Sequence, residues 1–450
     1  MPPSYVNFGS KRRLYRASGV HREKKEWGEE QWIVNREYCG KKLVLQKNRR
    51  CSLHKHEKKD EVFYILSGLV RMEISDKTFT LTPGDFVHIP AGAYHRFTGL
   101  EDSEIMEFST NHQENDSYRK EYSGHVEGER FVRQRKIVEK FPQAKVLVAG
   151  DAMLDTYTIG DVTRISPEAP IPVAKFRSRR HVPGAAANAA ANVASLGGCA
   201  TLVSVRGKDG AGQALEALLK KSGVKTLFVI EENRATTEKH RIVASDAHQI
   251  VRVDYEDIHS LSSAAEKKIA SFLRRELKKH DILLLSDYAK GFFRPEFLRS
   301  CIAAARSARV PVILDPKPTG RDYLSAARGV AAITPNRNEA QILAGTQERS
   351  PFGVAAAIAR KLFTNVFCTL GGDGMLLASP KGKTRDFRAI TKEVTDVSGA
   401  GDTVAATVAL CLASGATMED AADVSNRAAG VVVTKQGTAT LTQNELLRVL

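Results

Sequence analysis

One change of texture, near Lys145, constrains the fold more than any other feature of this 450-residue chain. Ahead of it, residues 30 to 110 hold short β-type runs at Lys42–Gln46, Val62–Leu66, Leu69–Ile74, Thr78–Leu81, Phe86–Ile89 and Ile105–Phe108. Turn residues such as Pro83-Gly84 and Ala91-Gly92 separate the runs, and no long helical pattern interrupts them. That pattern predicts a small all-β barrel or sandwich. Beyond Lys145, strand-like and helix-like segments alternate: Val146–Ala149, Ala185–Leu196, Thr201–Val205, Ala211–Lys221, Leu227–Ile230, Ala264–Lys278, Ile282–Leu285, Pro295–Ala308 and Val312–Leu314. Alternation of this kind predicts a mostly parallel sheet with helices on both faces. Two stretches, Thr156–Phe176 and Thr237–Asp254, break it and read as β-ribbons that cover the sheet as a lid. The expected division is 1–112 for the β domain, 113–142 for a charged tail and linker, and 143–450 for the α/β domain.

Composition narrows the class. No run of 18 apolar residues occurs, so no membrane span is expected. The first residues lack the basic-then-apolar layout of a secretory signal. Six scattered cysteines without CxxC spacing read as reduced thiols, and the expected setting is the cytoplasm. A net charge of +15 is compatible with a solvated basic surface, with steering of phosphorylated substrates, or with nucleic acid. The basic residues are spread out (Lys11-Arg12-Arg13, Lys24-Lys25, Lys41-Lys42, Arg49-Arg50, Arg177 with Arg179-Arg180, Lys220-Lys221), with no nucleic-acid motif beside them. Neither nucleic acid nor membrane is expected as a partner.

The strongest local signal is Asp396-Val-Ser-Gly-Ala-Gly-Asp402, followed at once by an apolar helical run. Glycines let a backbone approach an anion closely, and a helix start offers unpaired N–H groups and a positive dipole end. An acid there can take a proton from an attacking hydroxyl while those donors steady the charge on a transferred phosphoryl group. One such donor is typically worth about 3–4 kcal/mol in a transition state. Taken alone, the segment is equally well a helix start capped by Asp402.

Further pieces accompany it: Val-Ala-Gly-Asp151-Ala-Met-Leu-Asp155, Arg164-Ile-Ser-Pro-Glu168-Ala-Pro-Ile-Pro-Val, Pro183-Gly184-Ala-Ala-Ala-Asn188, Ser286-Asp287-Tyr-Ala-Lys290-Gly291, Asp315-Pro-Lys317 and Thr334-Pro-Asn336-Arg-Asn-Glu339. In this order, across residues 144–442, they resemble the ribokinase-like, or PfkB, family of sugar kinases, and within it the heptose 7-phosphate kinase branch. The resemblance implies an α/β three-layer sandwich with a β lid. It also implies ATP-dependent phosphorylation of a heptose 7-phosphate at its anomeric hydroxyl.

By position, the resemblance makes Asp402 the base and the N–H groups of Gly399, Ala400 and Gly401 the anion hole. Asn336 and Glu339 organise Mg²⁺ and phosphate, while Thr369, Gly371 and Gly374 form the nucleotide strand-turn. Asn426 flanks adenine. Asp155, Gly184 and Asn188 clamp sugar hydroxyls, and Lys239, Arg241, Lys290 and Lys317 are candidates for the distal phosphate, each equally able to form a structural ion pair. Two departures stand out: Gly184-Ala185 replaces the family's Gly-Gly, and Ser398 replaces a more usual Thr. A methyl group at 185 would tighten the sugar site or shift backbone angles. The adenylyltransferase domain often fused to this branch is not expected, because the kinase pattern closes near Gln436–Thr442. Lid strands pair between subunits in this family, so a homodimer is expected. A non-enzymatic sensor on the same scaffold would show a damaged catalytic segment, yet every part named is intact.

In the β domain, His54-Lys-His56 and Glu61 precede a strand closed by Gly68, and Gly84-Asp-Phe-Val-His-Ile-Pro90-Ala-Gly92-Ala-Tyr-His95 follows. Alternate residues of a strand share a face, so His54 and His56 point together. With Glu61 and His95 they complete a three-nitrogen, one-carboxylate set suited to Zn²⁺, Mn²⁺ or a similar divalent ion. A pair of surface histidines is the plainer reading of His54 and His56 alone. These motifs, with Glu26-Trp27-Gly28 and His95-Arg96, are similar to the cupin superfamily across residues 25–112, and to the cupin domain of type II phosphomannose isomerases. The resemblance implies a double-stranded β-helix, and with the fusion to the kinase it makes a sugar-phosphate isomerase that turns sedoheptulose 7-phosphate into the kinase substrate the hypothesis for this domain. The rival is a silent cupin that binds sugar or stabilises a dimer. His54 stands where those enzymes commonly carry Gln, which leaves metal and activity open.

Overall fold

The computed structural model describes residues 20–450 apart from 114, 122, 126–127, 246–247, 319–321, 349 and 392–393. The basic triplet Lys11-Arg12-Arg13 therefore lies outside the described residues, as do the first 19 positions of the expected β domain. The chain separates into two compact units, Met1–Lys136 with Leu447–Leu450, and Ile137–Leu446.

The first unit is built from two antiparallel sheets. One orders its strands as His21–Lys25, Gly28–Asn35, Tyr38–Leu45, Ser103–Thr110, Glu61–Ser67 and Phe86–Ile89. The other centres on His95–Gly99, which pairs with Arg49–Arg50, Leu53–Lys55 and Val70–Ile74. The alternating inward residues Trp27, Leu43, Leu45, Phe63, Ile65, Met72, Phe97 and Ile105 meet in one core. The cupin barrel expected from the sequence is this fold.

Residues 113–142, expected as a charged tail and linker, carry regular structure of their own. Tyr118–Glu121 and Gly124–His125 pair as strands with Leu53–Lys55 and Arg49–Arg50, and Gly128–Glu139 is a helix. The charge-rich composition hid this because the anchor is a single buried acid. The Asp116 carboxylate accepts the backbone N–H groups of Glu57, Lys58 and Lys59 at 3.0–3.2 Å and so draws the segment onto the barrel.

The second unit carries a nine-stranded sheet in the order Lys225–Ile230, Cys199–Arg206, Lys145–Gly150, Ile282–Ser286, Val312–Asp315, Ala332–Ile333, Asn365–Thr369, Met375–Ala378 and Thr384–Phe387. The first seven run parallel and the last two close the edge as antiparallel strands. Helix starts are fixed by side chains: Asp209, Ser262 and Thr417 each accept a first-turn N–H. A separate four-stranded sheet forms the lid, ordered Pro172–Ala185, Ala152–Ile165, Glu238–Ala244 and Gln249–Tyr255. The two ribbons read from the sequence are its two hairpins, the first reaching nine residues further toward the helix Ala186–Ser195.

The Gly184-Ala185 departure has a structural cost. A Cβ at Gly184 would stand 2.8 Å from the Asp155 carboxylate, so glycine is required there. Ala185 adopts φ +55° with ψ −131°, a conformation that favours glycine. Strain of this kind is worth about 1–3 kcal/mol. Ala185→Gly is therefore expected to raise the unfolding free energy of this unit by about 1 kcal/mol, seen as a higher melting temperature. A lower melting temperature would show that the methyl group packs favourably enough to outweigh the strain.

Candidate functional site

In an open α/β sheet, ligands gather beyond the carboxyl ends of the parallel strands. Here those ends carry Asp151, Asp287, Tyr288, Asp315, Asn336 and Thr369. The Asp151 carboxylate accepts N–H groups from Tyr288, Lys290 and Phe292 at 2.9–3.1 Å, pinning loop 286–292 over the strand Lys145–Gly150.

Opposite this loop, Gly399 at φ +78° caps the helix Ala400–Ala413. A Cβ at Gly399 would sit 2.7 Å from Asn188 Nδ2, whereas at Gly401 it would meet nothing within 4 Å. The first turn therefore faces open space next to Asp402. One of the three expected anion-hole donors is engaged, since the Ala400 N–H donates to Val397 O at 3.2 Å.

Asp402 itself is 2% exposed. Its Oδ2 accepts a hydrogen bond from Asn188 Nδ2 and its Oδ1 one from the Tyr288 hydroxyl, both at 2.7 Å. Burial pushes the Asp402 carboxyl up to about 7, held back by those two donors, while the Asp155 charge adds to the rise. Asn188 is positioned by Asn192, whose Nδ2 donates to Asn188 Oδ1 at 3.2 Å. Asp155 binds Arg241 at 2.6 Å and accepts from Thr438 Oγ1 at 3.1 Å. Asp402, Asn188, Asp155 and Gly184 thus lie together at one place in the fold.

The remaining assignments are placed as follows. Asn336 and Glu339 form a capping box at the helix Arg337–Ala344, and Lys317 Nζ donates to Glu339 Oε1 at 2.9 Å. Thr369 bridges to Asn336 in parallel, so the phosphate and nucleotide candidates share one strand end. Gly371 and Gly374 take positive φ around a tight turn, where a Cβ on Gly374 would lie 2.1 Å from Phe387 O. Asn426 is buried and its Nδ2 donates to Arg388 O at 2.7 Å. Lys290 is held by Glu256 at 2.6 Å. Lys239 has no ion-pair partner among the described residues, and burial lowers its pKa.

Tyr288 and Thr438 were not assigned from sequence. Tyr288 stood inside a quoted motif, but only coordinates bring its hydroxyl to Asp402.

The barrel gathers its own cluster. The ring nitrogens of His54, His56 and His95 lie within 4.8 Å of one another. Each Nδ1 faces a backbone carbonyl: Ser52 O at 2.8 Å, Asp116 O, and Ala93 O at 3.1 Å. Nδ1 thereby carries the proton and Nε2 keeps its lone pair for a ligand. Burial lowers the His54 pKa to about 3 and also depresses His56, so both rings stay neutral. Glu61 Oε1 pairs with Lys59, which also binds Glu107 at 2.5 Å. Glu61 Oε2 and His95 Nε2 are 3.1 Å apart, yet among the described residues neither makes a hydrogen bond. Two orphaned buried lone pairs facing each other beside two further imidazoles fit a divalent transition metal. The cluster opens on a cavity of about 730 Å³ lined also by Trp27, Lys41, Glu107 and His112.

A buried carboxylate at a glycine-lined helix start, under a β lid and beyond a parallel sheet, defines a sugar kinase of the ribokinase-like class. Residues 143–445 match the model of the pfkB family carbohydrate kinases. The chain belongs to that family, and residues 42–109 match the cupin domain. The chain is 44% identical over 319 residues to the bifunctional protein HldE of Caulobacter sp. (strain K31), covering 69% of this chain and 64% of the relative. It thus spans just under two-thirds of that curated protein. It is 40% identical over 311 residues to the D-beta-D-heptose 7-phosphate kinase of Bordetella bronchiseptica, covering 68% of this chain and 96% of the other. Among solved structures, phosphofructokinase-2 from Escherichia coli in complex with potassium aligns with a TM-score of 0.56 at 20% identity, covering 67% of this chain and 96% of that one. That likeness bears on the fold alone. Among the described residues, no helix is long and apolar enough to cross a membrane.

Proposed function

We propose that the α/β unit transfers the γ-phosphoryl group of ATP to the anomeric hydroxyl of a heptose 7-phosphate, giving heptose 1,7-bisphosphate. The observation that carries this reading is the Asp402 carboxylate, buried and held between Asn188 and Tyr288 at the open first turn. Ionised Asp402 accepts the proton of the acceptor hydroxyl as oxygen attacks phosphorus. Asn188 and Tyr288 keep the carboxylate aimed, and first-turn N–H groups meet the charge on the phosphoryl oxygens. Asp155, oriented by Arg241 and Thr438, receives sugar hydroxyls. Aligning acceptor and ATP supplies roughly 7–11 kcal/mol of the barrier. Asn336 and Glu339 would hold Mg²⁺, which neutralises phosphate charge when bound. Glu339 retains lone pairs beyond those used by Lys317 and the Asn336 N–H. The Bordetella bronchiseptica relative, named a D-beta-D-heptose 7-phosphate kinase, supports heptose 7-phosphate over other acceptors.

The barrel is proposed to isomerise a ketose 7-phosphate, sedoheptulose 7-phosphate, to the aldose that the kinase consumes. His54, His56, His95 and Glu61 would hold Zn²⁺, Mn²⁺ or a similar ion, which polarises a sugar carbonyl when bound. Support comes from the orphaned Glu61–His95 pair and the wide polar cavity beside it. An ATP-using, thiol-bearing enzyme of this kind fits the cytoplasm. A homodimer through the lid is proposed because Ile165, Phe176, Val251 and Tyr255 stay exposed on its strands.

The test is ADP release across a panel of sugar 7- and 6-phosphates. The heptose 7-phosphate is expected to give the highest kcat/KM. A hexose 6-phosphate preferred over it would replace the acceptor while leaving the kinase.

A further inference from the structure

The four strands of the lid pair with a defined register. Tyr157 pairs with Arg180 on one side and with Arg241 on the other, and Arg241 pairs in turn with Arg252. One register level away, Asp155 pairs with Lys239. Residues two apart share a face, so Asp155, Tyr157, Arg180, Lys239 and Arg241 occupy the same side of the lid.

The cations in this row differ in what they face. The Arg241 guanidinium is committed to Asp155 at 2.6 Å, and Lys290, beyond the row, to Glu256. Arg252 binds Asp254 at 2.8 Å. Among the described residues Arg180 has no carboxylate partner. Its guanidinium carbon lies 4.5 Å from the Tyr157 ring centre, while Arg241 lies 5.2 Å from it. Stacking on an aromatic face steers a guanidinium while leaving its N–H edge free.

Arg180, Tyr157 and Arg241 line a cavity of about 370 Å³ together with Ser398, Gln436 and Gly437. The acid in this lining, Asp396, is occupied, accepting the N–H groups of Ser398 at 2.8 Å and Gly437 at 3.0 Å. The cavity adjoins the proposed acceptor site through short contacts. Thr438 follows Gly437, its hydroxyl donates to Asp155, and its N–H donates to the Tyr157 oxygen at 3.3 Å.

We infer that Arg180, steered by Tyr157 and backed by Arg241, forms an anion subsite that receives the phosphate ester at the far end of a phosphorylated sugar acceptor. The inference rests on the kinase reading above and adds to it the residue that distinguishes a sugar phosphate from a free sugar. Arginine suits the task because its planar donor fork matches two phosphate oxygens at once. Arg179, next in sequence, is on the other face: its Nε donates to Thr158 Oγ1 at 3.1 Å.

The experiment measures steady-state kinetics of the full chain, of Arg180→Ala and of Arg180→Lys. The acceptors are heptose 7-phosphate and the same heptose without phosphate, with ATP in each case. Arg180→Ala is expected to raise KM for the phosphorylated acceptor roughly 10- to 100-fold, the size of one lost charge-assisted contact. KM for ATP and activity on the free heptose should match the parent chain, which also shows that the variant is folded. Arg180→Lys should recover only part of the loss. An unchanged KM for the phosphorylated acceptor in Arg180→Ala overturns the subsite and leaves the kinase standing. An equal loss on free heptose overturns it as well, by assigning Arg180 a structural role. A parent chain inert on every acceptor overturns the kinase reading and the subsite with it.

Discussion

Asp402→Asn is expected to lower kcat by about 10²- to 10⁴-fold, the range of a positioned general base, with ATP binding retained. Asparagine keeps the shape and still accepts from Tyr288 through its oxygen, but it cannot take a proton. It also places an amide N–H₂ against Asn188 Nδ2, so some loss of alignment accompanies the loss of basicity. The pH profile separates the two effects. Burial raises the folded-state pKa of Asp402 to about 7, and only the ionised form is a base. In the parent chain kcat/KM should rise about tenfold per pH unit below that value and flatten above it. The variant should lose this acid limb. The same shift links to stability with a defined sign. A carboxyl whose folded pKa exceeds its unfolded value favours the folded state most below pH 3.8, and that contribution fades as pH rises toward 7. Turnover within a few-fold of the parent, with the acid limb intact, would remove Asp402 as the base.

The site was legible in sequence wherever chemistry and backbone geometry coincide. Gly399 and Gly184 sit where a Cβ would strike Asn188 or Asp155, so their motifs mark real crowding. The lid ribbons were readable because the strand–helix alternation stops over them. Partner choice was not legible. Lys290 and Arg241 were equivalent candidates on paper, and only the fold shows that Glu256 and Asp155 hold them. Lys59 gave no signal as the counter-ion of both Glu61 and Glu107, because those acids lie on different strands. The strands and helix within 113–142 were not legible for a related reason. The charge of that stretch suggested solvent, whereas one acid, Asp116, reaches three backbone N–H groups 57–59 residues away in sequence. Register and long-range pairing decide such cases, and a local pattern carries neither.

Metal binding by the barrel is the other effect expected to be large. After chelation and dialysis, the full chain should take up about one tightly held Zn²⁺ or Mn²⁺, and a His54→Ala/His56→Ala variant should lose at least about 100-fold in affinity. That figure is a floor, since changes outside the ligand set already cost 10- to 100-fold. The His54 and His56 rings are neutral, and backbone carbonyls pre-aim all three imidazoles, so binding costs little in ordering. Saturation at 1,000 times Kd should add about 4 kcal/mol to the barrel's stability, visible as a metal-dependent rise in its melting temperature. Ketose-to-aldose conversion should vanish in the chelated chain and return with the metal. Kinase turnover, supplied with Mg²⁺, should be the same in parent and double variant, which ties the loss to the barrel. Tight metal uptake without any conversion would leave the barrel as a sugar-binding or dimerising domain. Equal, weak uptake by parent and variant would mean that the Glu61–His95 approach is held by Lys59 and the surrounding packing alone.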